Sequence, residues 1–278
     1  MRIAILGSGL SAAYAVQAAH DCGLSKEDIL VVSASDSEFK PNGAQWLHWI
    51  PDSVRKVAEG PNTILSVSVG SEEEYLKKQW GRSDASSSFP KHPTIQYGWS
   101  VRLANHMIQW AERSMNRELL TDKDIKQYAE EFTFILHTFP TQISTKNSLG
   151  AVVRIPVYSV EIDFPARHVA VATHMYLESD GNNKFDGIVA YDGTAHSTMV
   201  RKSIIDGYSC LEFSSERADT VGVATFSDLS PFAKMPENPR LAHNVYPIGR
   251  YAEWDRKILS HHAYFKTCTL IKGYTTRE

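Results

Sequence analysis

The hydrophobic positions along this chain change rhythm three times. Residues 3–6, Ile-Ala-Ile-Leu, form a short unbroken apolar run of strand length. A Gly-Ser-Gly turn follows. Small and apolar residues then recur at helical spacing, with Ala15, Ala18, Ala19 and Cys22 on one face. A second β-branched run at 29–32 comes where a parallel β-α-β unit needs its next strand. The same opening, with one arginine, an apolar stretch and small residues, also has the layout of a secretory signal. The strand behind the helix favours the β-α-β reading.

Helical spacing dominates up to residue 131. A helix is predicted over 72–80, followed by a loop to 98 that carries serines at 86–88 and Pro90 and Pro93. An amphipathic helix is predicted over 99–115, with Leu103, Met107, Trp110, Ala111 and Met115 on its apolar face. A shorter helix covers 122–131, and a strand covers 132–138.

From residue 152 to 213 the period becomes two. Tyr158, Val160, Ile162 and Phe164 alternate with Ser159, Glu161 and Asp163. Val169, Val171, Thr173, Met175 and Leu177 alternate in the same way. These are half-buried antiparallel strands. Asp180-Gly181-Asn182-Asn183 reads as a turn, and 186–192, 199–205 and 208–213 add further strands. The first rhythm then returns. A strand at 244–248 meets Gly249, and a helix follows with Trp254, Ile258, His261 and Phe265 on one face.

Composition acts mainly by exclusion. The 278 residues are 42% apolar and 22% charged, enough to bury a core and unlike a disordered or fibrous chain. There are 29 basic and 32 acidic residues, a net charge of −3. That disfavours a dedicated nucleic-acid clamp, though not an enzyme that visits a nucleic acid. The three cysteines, Cys22, Cys210 and Cys268, show neither metal-ligand spacing nor a disulfide framework, and a reducing compartment is the default. No metal is expected, and no uncharged run approaches membrane-spanning length.

The chemistry concentrates at the two glycine turns. Gly7-Ser8-Gly9-Leu10-Ser11-Ala12 reads GxGxxA between a strand and a helix. Gly7 permits the tight turn, Gly9 lets a pyrophosphate approach the backbone, and Ala12 lets the helix pack on its strand. The helix start offers unpaired N–H groups and a partial positive charge to phosphate. The acid that ordinarily holds the ribose is replaced by Ser33, whose hydroxyl, or Asp36 nearby, could serve instead; the change also leaves room for a 2′-phosphate and hence NADP. A loop at 39–52 holds Gly43, Ala44, Gln45, Trp46, Leu47, His48 and Trp49, which suits either a buried aromatic connection or a bed for a planar cofactor with His48 facing the reaction. The turn Gly249-Arg250-Tyr251-Ala252-Glu253-Trp254-Asp255 repeats the strand-glycine-helix arrangement, with Arg250 placed to neutralise a pyrophosphate. Arg154, Arg167, Arg201 and Lys202 are either solvated sheet charges or contacts for an acidic substrate.

Taken in order, GSGLSA, NGAQWLH, HTFP at 137–140, YSCLEF at 208–213 and GRYAEWD resemble the amine-oxidase/UDP-galactopyranose-mutase-like FAD proteins. The resemblance implies an α/β fold: a discontinuous Rossmann-like FAD-binding domain at 1–150 and 243–278, and an inserted, mainly antiparallel β-sheet substrate domain at 151–242. It implies FAD held by Gly7, Ser8, Gly9, Leu10, Ser11, Ser33, Gly43, Ala44, Gln45, Leu47, Gly249, Arg250 and Trp254. The abbreviated substrate region resembles that of phage or actinobacterial accessory enzymes.

The first expected activity is oxidation or cleavage of a C–N bond in an amine-bearing substrate by hydride transfer to flavin, with His48 as base. Such chemistry asks the protein mainly for alignment and exclusion of water, in keeping with a sequence that shows no catalytic triad or carboxylate pair. Alternatives are an FAD-dependent lyase or oxidase acting on an amino-acid-modified base in phage DNA hypermodification, and a flavin-dependent nucleotide-sugar mutase using Arg154, Arg167, Arg201 and Tyr208. An NADP-binding reductase and a cofactor-stabilised module without turnover complete the set. The partner is a small molecule or modified nucleobase, a homodimer stays open, and the expected location is cytoplasmic (host cytoplasm if viral).

Overall fold

The computed structural model describes residues 1–33, 46–80, 83, 87–104, 106–107, 116–119, 125–138, 168–172, 185–197, 199–205, 208–213, 225–226, 244–253 and 258–276. In chain order its first half runs β1 (Ile3–Leu6), α1 (Leu10–Asp21), β2 (Ile29–Ser33), β3 (Trp46–Leu47), α2 (Asp52–Arg55), β4 (Asn62–Gly70), α3 (Glu72–Trp80), β5 (Thr94–Ser100) and β6 (Asn116–Leu119). The second half runs α4 (Ile125–Glu131), β7 (Phe134–His137), β8 (His168–Ala172), β9 (Gly187–Gly193), β10 (Met199–Ile205), β11 (Tyr208–Phe213), β12 (Thr225–Phe226), β13 (Val245–Pro247), α5 (Arg250–Glu253) and α6 (His262–Thr275).

Five strands form a wholly parallel sheet in the order β13-β7-β1-β2-β6. Its central strands β1, β2 and β7 are apolar on both faces because both faces are covered. On one face Ile3, Ile5, Val31, Phe134 and Leu136 pack with Ala12, Ala15 and Val16 of α1 and Ala263 and Ile271 of α6. On the other, Leu6, Val32, Ile135 and Val245 pack with Tyr128 of α4 and Phe132 just beyond it. Burial of each such large side chain contributes about 1.5–3 kcal/mol.

Eight strands form a second, mixed sheet in the order β12-β8-β11-β10-β9-β4-β5-β3. Its pairs are antiparallel except β4 with β9. Ile64, Val189, Tyr191 and Ile205 cover one face, where Tyr75 and Leu76 of α3 close over them. Lys78 of α3 reaches under the sheet to Asp192 at 3.2 Å, both side chains being about nine-tenths buried. The same Lys78 ammonium donates to the Met199 carbonyl at 2.8 Å, which pins the helix to β9 and β10 together.

Three strands of the mixed sheet, β3, β4 and β5, come from within residues 1–150. Some local expectations change. The loop expected up to residue 98 contains β5. Pro93 reads as a loop signal, but a Cβ on Gly98 would overlap the Trp46 indole, so this glycine serves the close pairing of β3 with β5. The helix expected from 99 begins after Ser100, the last residue of β5. Its described part buries Ala104 and Met107, while Trp110, Ala111 and Met115 lie outside the described residues. Near the C-terminus, Ile258 and Leu259 are outside helix and α6 starts at His262, so Ile258 and Phe265 do not share one continuous helix. The expected strand at 158–164 and turn at 180–183 lie outside the described residues.

Candidate functional site

The parallel sheet changes direction of build between β1 and β7, and the loops at that point lie at the carboxyl ends of its strands. Gly7 leaves β1 with φ 115°, a conformation that glycine adopts without a Cβ clash. Its amide donates to the Val32 carbonyl at 2.7 Å. Thr138, directly after β7, donates to the Leu6 carbonyl from both its amide and its hydroxyl, each at 3.0 Å. A Cβ on Gly7 would overlap that hydroxyl oxygen. Gly7 is thus fixed twice, by its backbone conformation and by Thr138.

Gly9 is different. It is the extended N-cap of α1, and no heavy atom lies within 4 Å of where its Cβ would stand. No side chain caps this helix and no acidic residue occupies its first turn. The first amides of any α-helix lack acceptors inside the helix. Those of Leu10 and Ser11 therefore open beside a bare backbone, with the positive end of the helix dipole behind them.

The second glycine turn comes back to the same place. Gly249 has φ 85°, and a Cβ there would overlap the side chain of Ser11. Residues from the two ends of the chain therefore meet at the start of α1. Here the leading amide is already used: Gly249 N–H donates to Glu253 Oε1 at 3.1 Å, and Glu253 pairs with Lys266 of α6 at 3.0 Å. Arg250 opens α5, a helix of only four residues. Ser33 ends β2, opposite Leu119 of β6.

The segment after β3 lies along α1. Leu47 is buried in the core beneath the parallel sheet, while His48 turns outward to solvent with its ring edge-on to Trp46 at 5.3 Å. Tyr14 of α1 donates its hydroxyl to the Trp49 carbonyl, and burial raises the Tyr14 pKa above the usual phenol range. Trp49 in turn touches His261, Tyr264 and Phe265 at centroid distances of 5.9, 5.2 and 4.8 Å. The His261 pKa is lowered first by burial, then by the charges of His262 and His48. His48 and His261 are thus electrostatic neighbours.

The structure brings Gly7, Ser8, Gly9, Leu10, Ser11 and Gly249 together at one end of the sheet. Gly43, Ala44, Gln45, Trp254, Arg154 and Arg167 lie outside the described residues. Arg201 lies over the Tyr191 ring at 5.9 Å, a packing role within the mixed sheet. Thr138, Glu253 and Lys266 were not singled out in the sequence. Thr138 carried a signal within HTFP; the Glu253–Lys266 pair carried none, since the two stand on separate helices. Among the described residues no group of three His, Cys, Asp or Glu side chains is arranged to hold a metal, and no helix is long and apolar enough to cross a membrane.

No family model and no curated protein matches the sequence. Solved structures share the fold at low identity. A reduced UDP-galactopyranose mutase superposes with a TM-score of 0.56 at 9% identity, covering 100% of this chain and 96% of its own. CtdE in complex with FAD and a substrate gives 0.54 at 8%, covering 98% and 80%. The tryptophan 6-halogenase SttH from Streptomyces toxytricini gives 0.51 at 10%, covering 98% and 70%.

Proposed function

We propose that this chain is an FAD-dependent enzyme that oxidises or cleaves a C–N bond of an amine-bearing substrate. The observation that carries the cofactor assignment is Gly9. It is a backbone without side chain, at an uncapped helix start, with no atom where a Cβ would stand. That is the shape and polarity a pyrophosphate needs.

The strand order β13-β7-β1-β2-β6 supports a Rossmann-like reading, because dinucleotides bind where the order of such a sheet reverses. The fold shared with a UDP-galactopyranose mutase and with an FAD-bound protein supports the same reading. On it, the amides of Leu10 and Ser11 hold the pyrophosphate and Ser33 takes the ribose. Arg250 contributes charge from the second turn. The mixed sheet forms the substrate-facing unit, drawn from β3 to β5 as well as β8 to β12. FAD, when bound, supplies the hydride acceptor. His48, exposed beside Trp46, accepts the proton of a substrate ammonium. For the mutase alternative, Arg201 lies over the Tyr191 ring at 5.9 Å, while Arg154 and Arg167 lie outside the described residues.

The test is the purified protein itself. It should carry a flavin absorbance spectrum, release FAD on denaturation, and have its flavin bleached anaerobically by an amine from a panel of primary and secondary amines. A colourless protein that binds NADP instead of FAD would sink the cofactor assignment. A yellow protein that no amine reduces would leave FAD standing and remove the C–N chemistry.

A further inference from the structure

The helices α1 and α6 lie along each other, with Ala15 and Ala19 of one and Ala263 and Ile271 of the other in a single buried cluster. The alanines at three of these positions let the two backbones approach closely. At the end of α1, Asp21 accepts a hydrogen bond from the Tyr264 hydroxyl at 2.8 Å. The next residue, Cys22, is the C-cap of α1, held by its amide to the Ala18 carbonyl at 2.9 Å. Cys268 stands one turn beyond Tyr264 on the same face of α6. With Tyr264 bonded to Asp21, this places Cys268 on the side of α6 that meets the end of α1, where the neighbouring Cys22 thiol acts on it. Both cysteines are unpaired and half-buried.

We propose that Cys22 and Cys268 are an oxidative modification site, closing into a reversible disulfide that joins the end of α1 to α6. The oxidant is a hydroperoxide, with hydrogen peroxide as the simplest case. The Cys22 sulfur attacks a peroxide oxygen and the O–O bond breaks, giving a Cys22 sulfenic acid and one water. The Cys268 sulfur then attacks the Cys22 sulfur. The S–O bond breaks, the thiol proton of Cys268 joins the departing hydroxide, and a second water leaves. In sum two thiols and one peroxide become one disulfide and two waters.

The order of attack follows from the surroundings. Burial, and then the neighbouring Cys22 thiol, pushes the Cys268 thiol up to about 12, so Cys268 stays protonated while Cys22 reacts first. A bond of this kind in a reducing compartment is a transient, oxidant-driven state rather than a folding staple. Closing a loop that spans most of the chain removes freedom from the unfolded state, so the oxidised form should melt on the order of 5–10 °C higher.

The experiment treats the reduced, folded protein with equimolar hydrogen peroxide, alkylates remaining thiols, and maps peptides without reduction. The expected product is a Cys22–Cys268 linked peptide pair that dithiothreitol reverses and that Cys210→Ser also forms. In Cys268→Ser the Cys22 sulfenic acid should persist and be captured by dimedone in several-fold higher yield than in the wild type. Peptides that carry only separate oxidation products, or a linkage through Cys210, would overturn the proposal. So would equal dimedone capture in Cys268→Ser and the wild type.

Discussion

The backbone of Gly249 lies against the side chain of Ser11, close enough that a methyl group on Gly249 would overlap the serine oxygen. This one contact brings the β13–α5 turn onto the first turn of α1. Gly249 also has φ 85°, so an alanine there meets two separate penalties. Left-handed backbone in a residue with a Cβ costs about 1–3 kcal/mol, and overpacking of a well-filled site adds about 1–3 kcal/mol. Gly249→Ala should therefore lower unfolding stability by about 2–6 kcal/mol in denaturant titration. Replacing Ser11 by glycine in the same chain should recover the steric part and leave the backbone part. A double variant no more stable than Gly249→Ala would mean that the two turns are not in contact.

That contact was only half visible in the sequence. Both glycine turns could be read locally, since each sits between an apolar run and a helical pattern. Strands β10 and β11 and helix α3 were equally legible, and in β10 the periodicity agrees with the burial. Strand β4 was not. It buries Ile64 and Ser66, while Leu65, Val67 and Val69 lie on the more open face, so alternation gives no clear inward side. Its parallel pairing with β9 joins Ile64 to Gly187, a relation no local pattern encodes. At the site, Gly7 was legible as a turn, but the reason it must be glycine is Thr138, which arrives from β7.

Gly9 gives the complementary test. Nothing in the protein occupies the space its Cβ would enter, so Gly9→Val should alter the stability of the cofactor-free protein by only about 1 kcal/mol. FAD affinity should fall by at least about tenfold, because charge-assisted bonds from the helix amides to phosphate are worth about 1.5–3 kcal/mol each. Thermal melting and flavin titration separate the two effects. Unaltered affinity in a folded variant would place the cofactor elsewhere.

The Lys78–Asp192 pair makes a prediction about the mixed sheet alone. Burial by itself would raise the Asp192 pKa. Hydrogen bonds from the Thr194 hydroxyl and amide, from Ser197 and from Lys78 outweigh that and hold it below the usual carboxylate range. A carboxylate with a lowered folded-state pKa stabilises the fold fully above its unfolded pKa of about 4. That contribution fades as pH falls from there through the folded value. Asp192→Asn should flatten this acid limb of the stability profile. Either Asp192→Asn or Lys78→Met should cost about 3–5 kcal/mol at neutral pH, since each leaves a buried partner uncompensated. The double variant should cost less than the two summed. Strict additivity in this cycle would show that the pair does not act as a unit.

His48 carries the remaining prediction, and it has a readout that does not depend on turnover. The ring faces outward beside Trp46, while Leu47 is buried. His261 feels the His48 charge, which depresses the His261 pKa after the larger effects of burial and His262. Removing a like charge favours protonation of its neighbour, so His48→Gln should raise the His261 pKa in an NMR titration. The same variant should fold and bind FAD normally, because the His48 side chain is exposed. If His48 takes the ammonium proton, flavin reduction by the amine should fall about 10²–10⁴-fold and its acid limb should disappear from the pH profile. A raised His261 pKa together with undiminished flavin reduction would keep His48 as a neighbour of His261 and exclude it as the base. The chemistry would then depend on how the mixed sheet aligns the substrate.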